Sequence, residues 1–317
     1  MRFSIFQESH IGARKMNQDR MGYSYTRDAL LLVLADGMGG HPRGEVAATV
    51  ALETISALFR QQADPYVKGP GRFLEDACHA AHREIQRHAA AHGLPETPRT
   101  TVVACVVQHN TATWAHCGDS RLYWLRGGRI LARTRDHSHI ERLIDSGRVP
   151  ASARDTHPDR NKLYNCLGAA VAPRIELSGP ASLAPGDVML LCSDGLWAVL
   201  PEPELVAGLS AGPVDSAVPH LLRAALRRGG ATSDNVTGLA IAWQGASGID
   251  ETAGAGGGGS TAASTGSSTL VDSFIDAPAD GLHGTTIAPA DPFDEAEIDR
   301  AIAEIRMAIE RSSQLLK

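Results

Sequence analysis

The sequence predicts an α+β domain built on antiparallel sheet. Three observations carry this. Short apolar, β-branched runs recur along residues 1–244, each bounded by Gly, Asp, Asn or Pro, as strands are. Several consecutive runs are separated by only a few residues, too few for the crossover that a parallel pair needs, so they pair as hairpins. Helical periodicity is confined to a few longer stretches.

The elements follow in order. RFSIFQES (2–9) alternates and reads as a strand. LLLVLA (30–35) is a second strand, apolar on every residue. GEVAATVALETISALFRQQ (44–62) sets Val46, Val50, Ile55 and Leu58 near one face of a helix. Residues 72–91 are a second helix candidate. TTVVACVV (100–107), TATWAHCG (111–118) and RLYWLR (121–126) are three strands in close succession. A helix candidate at 138–146, the strand VMLLCS (188–193), a helix candidate at 214–228 and the strand TGLAIAW (237–243) complete the series.

The composition changes after Trp243. Residues 245–290 are rich in Gly, Ser, Ala and Thr and hold no Lys or Arg, which reads as a linker without fixed structure. Residues 291–317 read as an amphipathic helix. Asp291 caps it, Pro292 suits its first position, and Ile298, Ile302, Ile305, Ile309 and Leu316 form a heptad seam with Ser312 as its gap. Three heptads are marginal alone in water, so the seam needs an apolar partner: another protein or a second copy is favoured over its own domain. Thr269, Thr285 and Thr286 in the linker are candidate phosphorylation sites for a cognate kinase.

At 317 residues and 43% hydrophobic, the chain has enough material for one large domain or two ordinary ones. A net charge of −6 gives no reason to expect a nucleic-acid partner. No apolar stretch approaches the roughly 20 residues of a membrane span. Met1 leads straight into a strand-like run, with no secretory signal pattern. Cys78, Cys105, Cys117, Cys166 and Cys192 are odd in number and form no CxxC pair, so reduced, mostly buried thiols in the cytoplasm are expected.

Four aspartates share a setting. Asp36 follows LLLVLA, Asp119 follows TATWAHCG, Asp194 follows VMLLCS, and Asp234 precedes NVTGLAIAW. Each stands where a predicted strand meets a Gly- or Ser-containing turn. One such Asp is ordinary turn chemistry. Four at strand ends can be gathered by one sheet, where they would repel and raise each other's pKa. A hard divalent cation removes that conflict, and Mg²⁺ and Mn²⁺ prefer oxygen ligands. Gly37 suits a backbone carbonyl offered as a further ligand. The loop ADGMGGHPRGE (35–45) has neither the GxxxxGK[ST] of a P-loop nor the GxGxxG of a dinucleotide site.

The motifs GARKMNQDR (12–20), ADGMGGHPRGE (35–45), RTTVVACVV (99–107), CGDSRLYWLRGG (117–128), TRDHSHIERLIDSG (134–147), HPDRNKLYNCLGA (157–169), LLCSDGLW (190–197) and SDNVTGLAI (233–241) run in a single order. In that order they resemble the metal-dependent Ser/Thr protein phosphatases of the protein phosphatase 2C type, in their bacterial form. The resemblance covers residues 1–244. It implies a four-layer α/β/β/α sandwich, two antiparallel sheets face to face with helices outside, and a binuclear Mn²⁺ or Mg²⁺ centre between them. By that resemblance Asp36 bridges two ions and Gly37 gives its carbonyl oxygen. Asp194 and Asp234 ligate one ion, and Asp119 a third, weaker one. Asp19 holds a water of the ion's shell, and Arg14 grips the substrate phosphate. A water activated by the ions would attack the phosphoserine or phosphothreonine of a protein substrate, opposing a Ser/Thr kinase. The guanidinium fork suits a phosphate as Lys does not.

Two departures from the family pattern stand out. Gln18 occupies a position where many members have Glu, and its amide still reaches an ion's water. Met38 follows the Asp-Gly where eukaryotic members have a His that serves as acid; His41 comes later and reads as structural. His137, His139 and His157 in 136–162 match no zinc spacing. Arg148, Arg154 and Arg160, in what the family makes a flap, are candidate phosphopeptide contacts, although the plainer reading of a solvated face is favoured. Two other functions compete: a phosphatase of an anti-sigma antagonist, and a catalytically inert phosphopeptide-binding regulator. The intact aspartate set argues against the inert one.

Overall fold

The computed structural model describes residues 1–38, 43–154, 157–160 and 162–245, and the backbone of 271–274. His41, the three linker threonines and the helix read at 291–317 lie outside the described residues.

The elements run β1 Arg2–His10, β2 Asp19–Tyr25, β3 Ala29–Asp36, α1 Gly44–Gln62, α2 Pro70–Ala91, β4 Val102–Gln108, β5 Thr111–Cys117, β6 Arg121–Arg126 and β7 Arg129–Arg133. There follow α3 His139–Asp145, β8 Glu176–Leu177, β9 Ala181–Ser182, β10 Val188–Cys192, α4 Asp194–Trp197, α5 Glu202–Ser210, α6 Val214–Gly229, β11 Val236–Gly245 and β12 Val271–Phe274. One sheet has the order β1-β11-β10-β6-β7 and the other β12-β2-β3-β4-β5-β8, with β9 also on β5. Every pair is antiparallel.

The apolar runs are continuous because the central strands are covered on both faces. Leu31, Val33 and Ala35 of β3 pack with Val102, Ala104 and Val106 of β4 against Ile55 and Phe59 of α1 and Phe73, Leu74 and Ile85 of α2. Leu30, Leu32 and Leu34 are equally buried and, by the two-residue alternation, point the other way. There β3 meets β10, and β2 meets β11, of the opposite sheet. On the far side Leu190, Cys192, Val236 and Ala240 pack against Leu205 and Leu209 of α5 and Val218, Leu221 and Leu222 of α6. The result is helix layer, sheet, sheet, helix layer, as the resemblance implies. All five cysteines are free and buried, and burial pushes the Cys78 and Cys192 thiols up to about 12.

The reading of 245–290 as structureless is corrected at four residues. Val271–Phe274 adds a strand along the outer edge of β2, pairing Val271 with Tyr25 and Phe274 with Gly22. An uncovered edge strand offers a row of unpaired N–H and C=O groups, which suits such an addition.

Candidate metal centre

The same end of both sheets collects the predicted carboxylates. Asp36 ends β3 and Asp19 opens β2, and the two are direct cross-strand partners. Asp119 lies in the turn by which the chain passes from β5 in one sheet to β6 in the other. Asp194 follows β10 and Asp234 precedes β11. Burial raises the Asp36 pKa most, and Asp19, Asp194, Asp119 and Asp234 each raise it further by repulsion. Asp194 is likewise raised by burial, then by Asp119 and Asp234. Asp119 is pushed up to about 7, chiefly by burial and next by Asp136. All five aspartates assigned from the sequence therefore meet in one basin.

Hydroxyls and backbone groups fix the basin. Thr101 accepts from the Asp36 amide at 3.1 Å and donates its own amide to the Asp36 carbonyl at 2.9 Å. The Thr100 hydroxyl reaches that carbonyl at 2.8 Å. The Thr101 and Ser120 hydroxyls are 2.7 Å apart, so Thr101 ties the Asp36 strand end to the Asp119 turn. The Ser193 hydroxyl donates to Asp19 Oδ2 at 2.7 Å. Asn235 accepts from the Gln18 amide at 2.8 Å and donates to the carbonyls of Ile11 and Met16 at 2.8 and 3.0 Å, stapling the loop that carries Arg14. Two glycines permit the close packing. A Cβ on Gly37 would stand 2.4 Å from the backbone of Gly44, and one on Gly195 2.0 Å from the Asn235 carbonyl oxygen.

Thr100, Thr101, Ser120, Ser193 and Asn235 lie inside the motifs quoted above, but their roles were not read from the sequence. A hydroxyl that pins a neighbouring loop looks like any strand Ser or Thr until the register is known. Gln18 donates its amide to Glu45 at 3.1 Å, on the first turn of α1. Arg14 forks onto Asp234, with Nε to Oδ1 at 2.8 Å and Nη2 to Oδ2 at 2.6 Å. Of the three flap arginines, Arg154 is committed to Glu141, while Arg148 and Arg160 are exposed.

The donor set fits a hard divalent cation. It is all oxygen, its carboxylates are held against mutual repulsion, and Asp19 Oδ1 is buried without a hydrogen-bond partner. A second cluster does not fit a cation. His116, His137 and Glu176 place one atom each within 4.8 Å, but the His116 and His137 rings stack with centroids 4.6 Å apart, so their in-plane lone pairs do not converge. Asn165 is fixed by the Arg174 backbone, accepting from its amide at 3.1 Å and donating to its carbonyl at 2.7 Å. Asn165 Nδ2 therefore donates to His137 Nδ1 at 2.7 Å, which leaves the His137 proton on Nε2, facing Glu176 at 3.4 Å. The cluster is a hydrogen-bond network at the root of the segment after Asp136.

A carboxylate basin at one end of two face-to-face antiparallel sheets defines the class, a sandwich domain with an oxygen-donor cation site. The protein phosphatase 2C family model matches residues 6–211, and the chain belongs to that family. It is similar to the serine/threonine protein phosphatase PstP of Mycobacterium tuberculosis, 33% identical over 212 residues that are 66% of this chain and 39% of the relative. The chain thus spans about two-fifths of that relative's length. The serine/threonine phosphatase stp of Listeria innocua is 30% identical over 195 residues, 61% of this chain and 77% of the relative. A solved structure of the PstP catalytic domain in complex with two manganese ions is 28% identical, with a TM-score of 0.61, covering 76% of this chain and 99% of that one.

Proposed function

We propose that the chain is a metal-dependent protein-serine/threonine phosphatase. It hydrolyses phosphoserine and phosphothreonine in cytoplasmic signalling proteins and opposes a Ser/Thr kinase. The observation that supports this is the convergence of Asp19, Asp36, Asp119, Asp194 and Asp234 with a single guanidinium, Arg14, bonded at their rim. Asp36, central to the set, would bridge two ions with the Gly37 carbonyl beside it. Asp194 and Asp234 would hold one of them, and Asp119 a third, weaker one, with Asp194, which Asp119 repels more than any other aspartate does, placed to share it. Mn²⁺, as in the PstP complex, or Mg²⁺ supplies Lewis acidity that lowers the pKa of water and offsets charge on the phosphoryl group.

The chain's own residues position the reactants. Ser193 occupies Asp19 Oδ2, so Oδ1 is left to accept a hydrogen bond from the attacking water and aim it. Arg14, which forks onto Asp234 in this structure, would turn the same two parallel donors to the phosphate oxygens once Asp234 takes an ion. The bond from water oxygen to phosphorus forms as the bond from phosphorus to the Ser or Thr oxygen breaks; the attacking water gives up one proton, and the leaving oxygen takes one. The products are phosphate and the free hydroxyl. Catalysis is assigned to 1–244, with 245–290 as a linker that adds the short strand β12 to β2, and 291–317 as the segment that docks a partner protein or a second copy through its heptad seam. Among the described residues no helix is long and apolar enough to cross a membrane.

The test is turnover of p-nitrophenyl phosphate and of phosphothreonine peptides. Mn²⁺ or Mg²⁺ supports both, EDTA abolishes both, and added Mn²⁺ restores them. Full turnover in metal-free buffer overturns the reading. A second measurement isolates Arg14. Arg14→Ala raises KM for a phosphopeptide by about tenfold or more, the effect of losing a charge-assisted pair of hydrogen bonds. The Mn²⁺ midpoint stays put or moves to lower concentration, because Asp234 is freed of a competing cation. A midpoint that rises while KM holds would show Arg14 to be misassigned.

A further inference from the structure

Arg121 is a buried cation that touches none of the basin's aspartates by hydrogen bond, yet from its own strand it reaches two other segments around them, one by hydrogen bonds and one by stacking. Its Nε and Nη2 donate to Asp136 Oδ1 and Oδ2 at 2.8 and 2.7 Å, and Nη1 donates to the Tyr123 hydroxyl at 3.0 Å. The same guanidinium lies over the Trp197 ring, 3.5 Å from its centroid. Arg121 and Asp136 are 4% and 6% exposed, so neither is a surface ion pair.

The placement matters because of what each partner carries. Arg121 stands two residues after Asp119. Trp197 stands three residues after Asp194, at the last position of the four-residue α4. Asp136 begins the segment whose next residue, His137, accepts from the Gly118 amide at 3.3 Å and donates its own backbone amide to the Gly118 carbonyl at 2.9 Å. The Trp197 indole N–H is buried without a hydrogen-bond partner, so the ring is placed by its stacked face and not by its nitrogen. A buried ion pair gives little stability over an apolar replacement of the same shape. What the Arg121 pair supplies is geometry: a planar group, clamped edge-on by Asp136 and face-on by Trp197, sets the distance between the Asp119 turn and α4.

We infer that Arg121 is a positioning residue that holds Asp119 and Asp194 at the separation needed for them to share a cation, with Trp197 as the surface it is set against. The inference rests on the proposed metal centre and concerns its weakest ion, the one that Asp119 ligates. Lysine cannot replace the guanidinium, since an ammonium has neither the fork nor the flat face.

The experiment is a Mn²⁺ titration of the metal-free full chain, followed by calorimetry and by Mn²⁺ electron paramagnetic resonance, with folding checked by circular dichroism. Arg121→Lys weakens the weakest Mn²⁺ event by about tenfold or more, the usual effect of removing a group that orients a metal ligand. The tighter events stay within about threefold. Trp197→Leu acts in the same direction. Trp197→Phe keeps an aromatic face, removes only the unpartnered N–H, and restores the weak event to within about threefold of wild type. The tryptophan pair carries the test if Arg121→Lys does not fold. Asp194→Asn is the control for the metal centre itself. If Asp194→Asn loses Mn²⁺ while Arg121→Lys, folded, binds every ion as wild type does, the positioning role is wrong and the metal centre stands. If all events weaken together in Arg121→Lys, or if phenylalanine and leucine at 197 behave alike, Arg121 supports the fold and not the ion. If Asp194→Asn binds Mn²⁺ unchanged, the metal centre is itself misread.

Discussion

Asp36→Asn lowers kcat by about a thousandfold or more, a loss of about 4 kcal/mol of transition-state stabilisation, while the chain stays folded. Asp36 is the residue on which every other aspartate of the basin acts: Asp19, Asp194, Asp119 and Asp234 all raise its pKa. A carboxylate in that position is the natural bridge between ions, and an amide cannot bear the charge that holds two dications together. The substitution is nearly isosteric. The Asp36 backbone, moreover, is fixed from outside by Thr100 and Thr101, whose bonds do not involve the side chain. If Asp36 were only a turn residue, its loss would cost about 1 kcal/mol of stability and little rate. Removing one of several mutually repelling carboxylates instead leaves the metal-free fold as stable as wild type or more so at pH 8. Steady-state kinetics and a thermal melt on the same preparation decide. A variant that keeps more than half the wild-type kcat removes Asp36 from the chemistry.

The sequence carried the strand ends and the aspartates because both have local signatures. LLLVLA followed by Asp-Gly, and CSDG after VMLL, announce where an apolar strand stops and a carboxylate sits. The antiparallel arrangement was legible in the short gaps between runs, and the two-sheet sandwich only through the family resemblance. What stayed hidden depends on register. Thr101 joins Asp36 to Asp119 through Ser120 because β3 and β4 pair as they do, and no periodicity encodes that. The strands β2 and β7, the short β8 and β9 and the helices α4 and α5 were missed as well. β8 and β9 have two residues each and α5 has nine, too few to establish a period. Arg154, a candidate substrate contact with the solvated face favoured, is instead committed to Glu141; the partners stand 13 residues apart, across the end of α3 and the turns after it, beyond any helical spacing rule.

In metal-free buffer the chain loses thermal stability as pH rises from about 6.5 to 8.5, and Mn²⁺ removes that loss. The carboxylates set the sign. Asp119 titrates at about 7 in the folded chain against an ordinary 3.8, and Asp19, Asp36 and Asp194 are also raised, all mainly by burial. The folded state therefore binds more protons than the unfolded one across that range. Its extra stability is fully present below the unfolded carboxylate pKa and is lost as pH climbs through the folded values. Three histidines oppose this at lower pH. Burial holds His137 down to about 4 and lowers His116 and His82, so protonation of the unfolded chain costs stability around and below their ordinary 6.5. At 6.5 an unfolded histidine is still half protonated, so this opposing contribution fades between about 6.5 and 7.5; above that the carboxylates set the slope, and the buried thiols, raised by burial, add to it in the same direction near 8.5. Arg14, hydrogen-bonded to Asp234 at the rim, stays charged throughout and offsets Asp234 most, with weaker pulls on Asp194 and Asp36. A dication at the basin replaces the protons as counter-charge. At about 100 times its dissociation constant it adds about 2.7 kcal/mol, worth about 5–10 °C in a domain of this size. That gain is larger at pH 8.5 than at 6.5, since at the lower pH the ion must first displace protons. Scanning calorimetry at both pH values, with EDTA and with Mn²⁺, gives the four melting temperatures. A metal-free melt that holds level or rises from 6.5 to 8.5 means the aspartates are not held together as described.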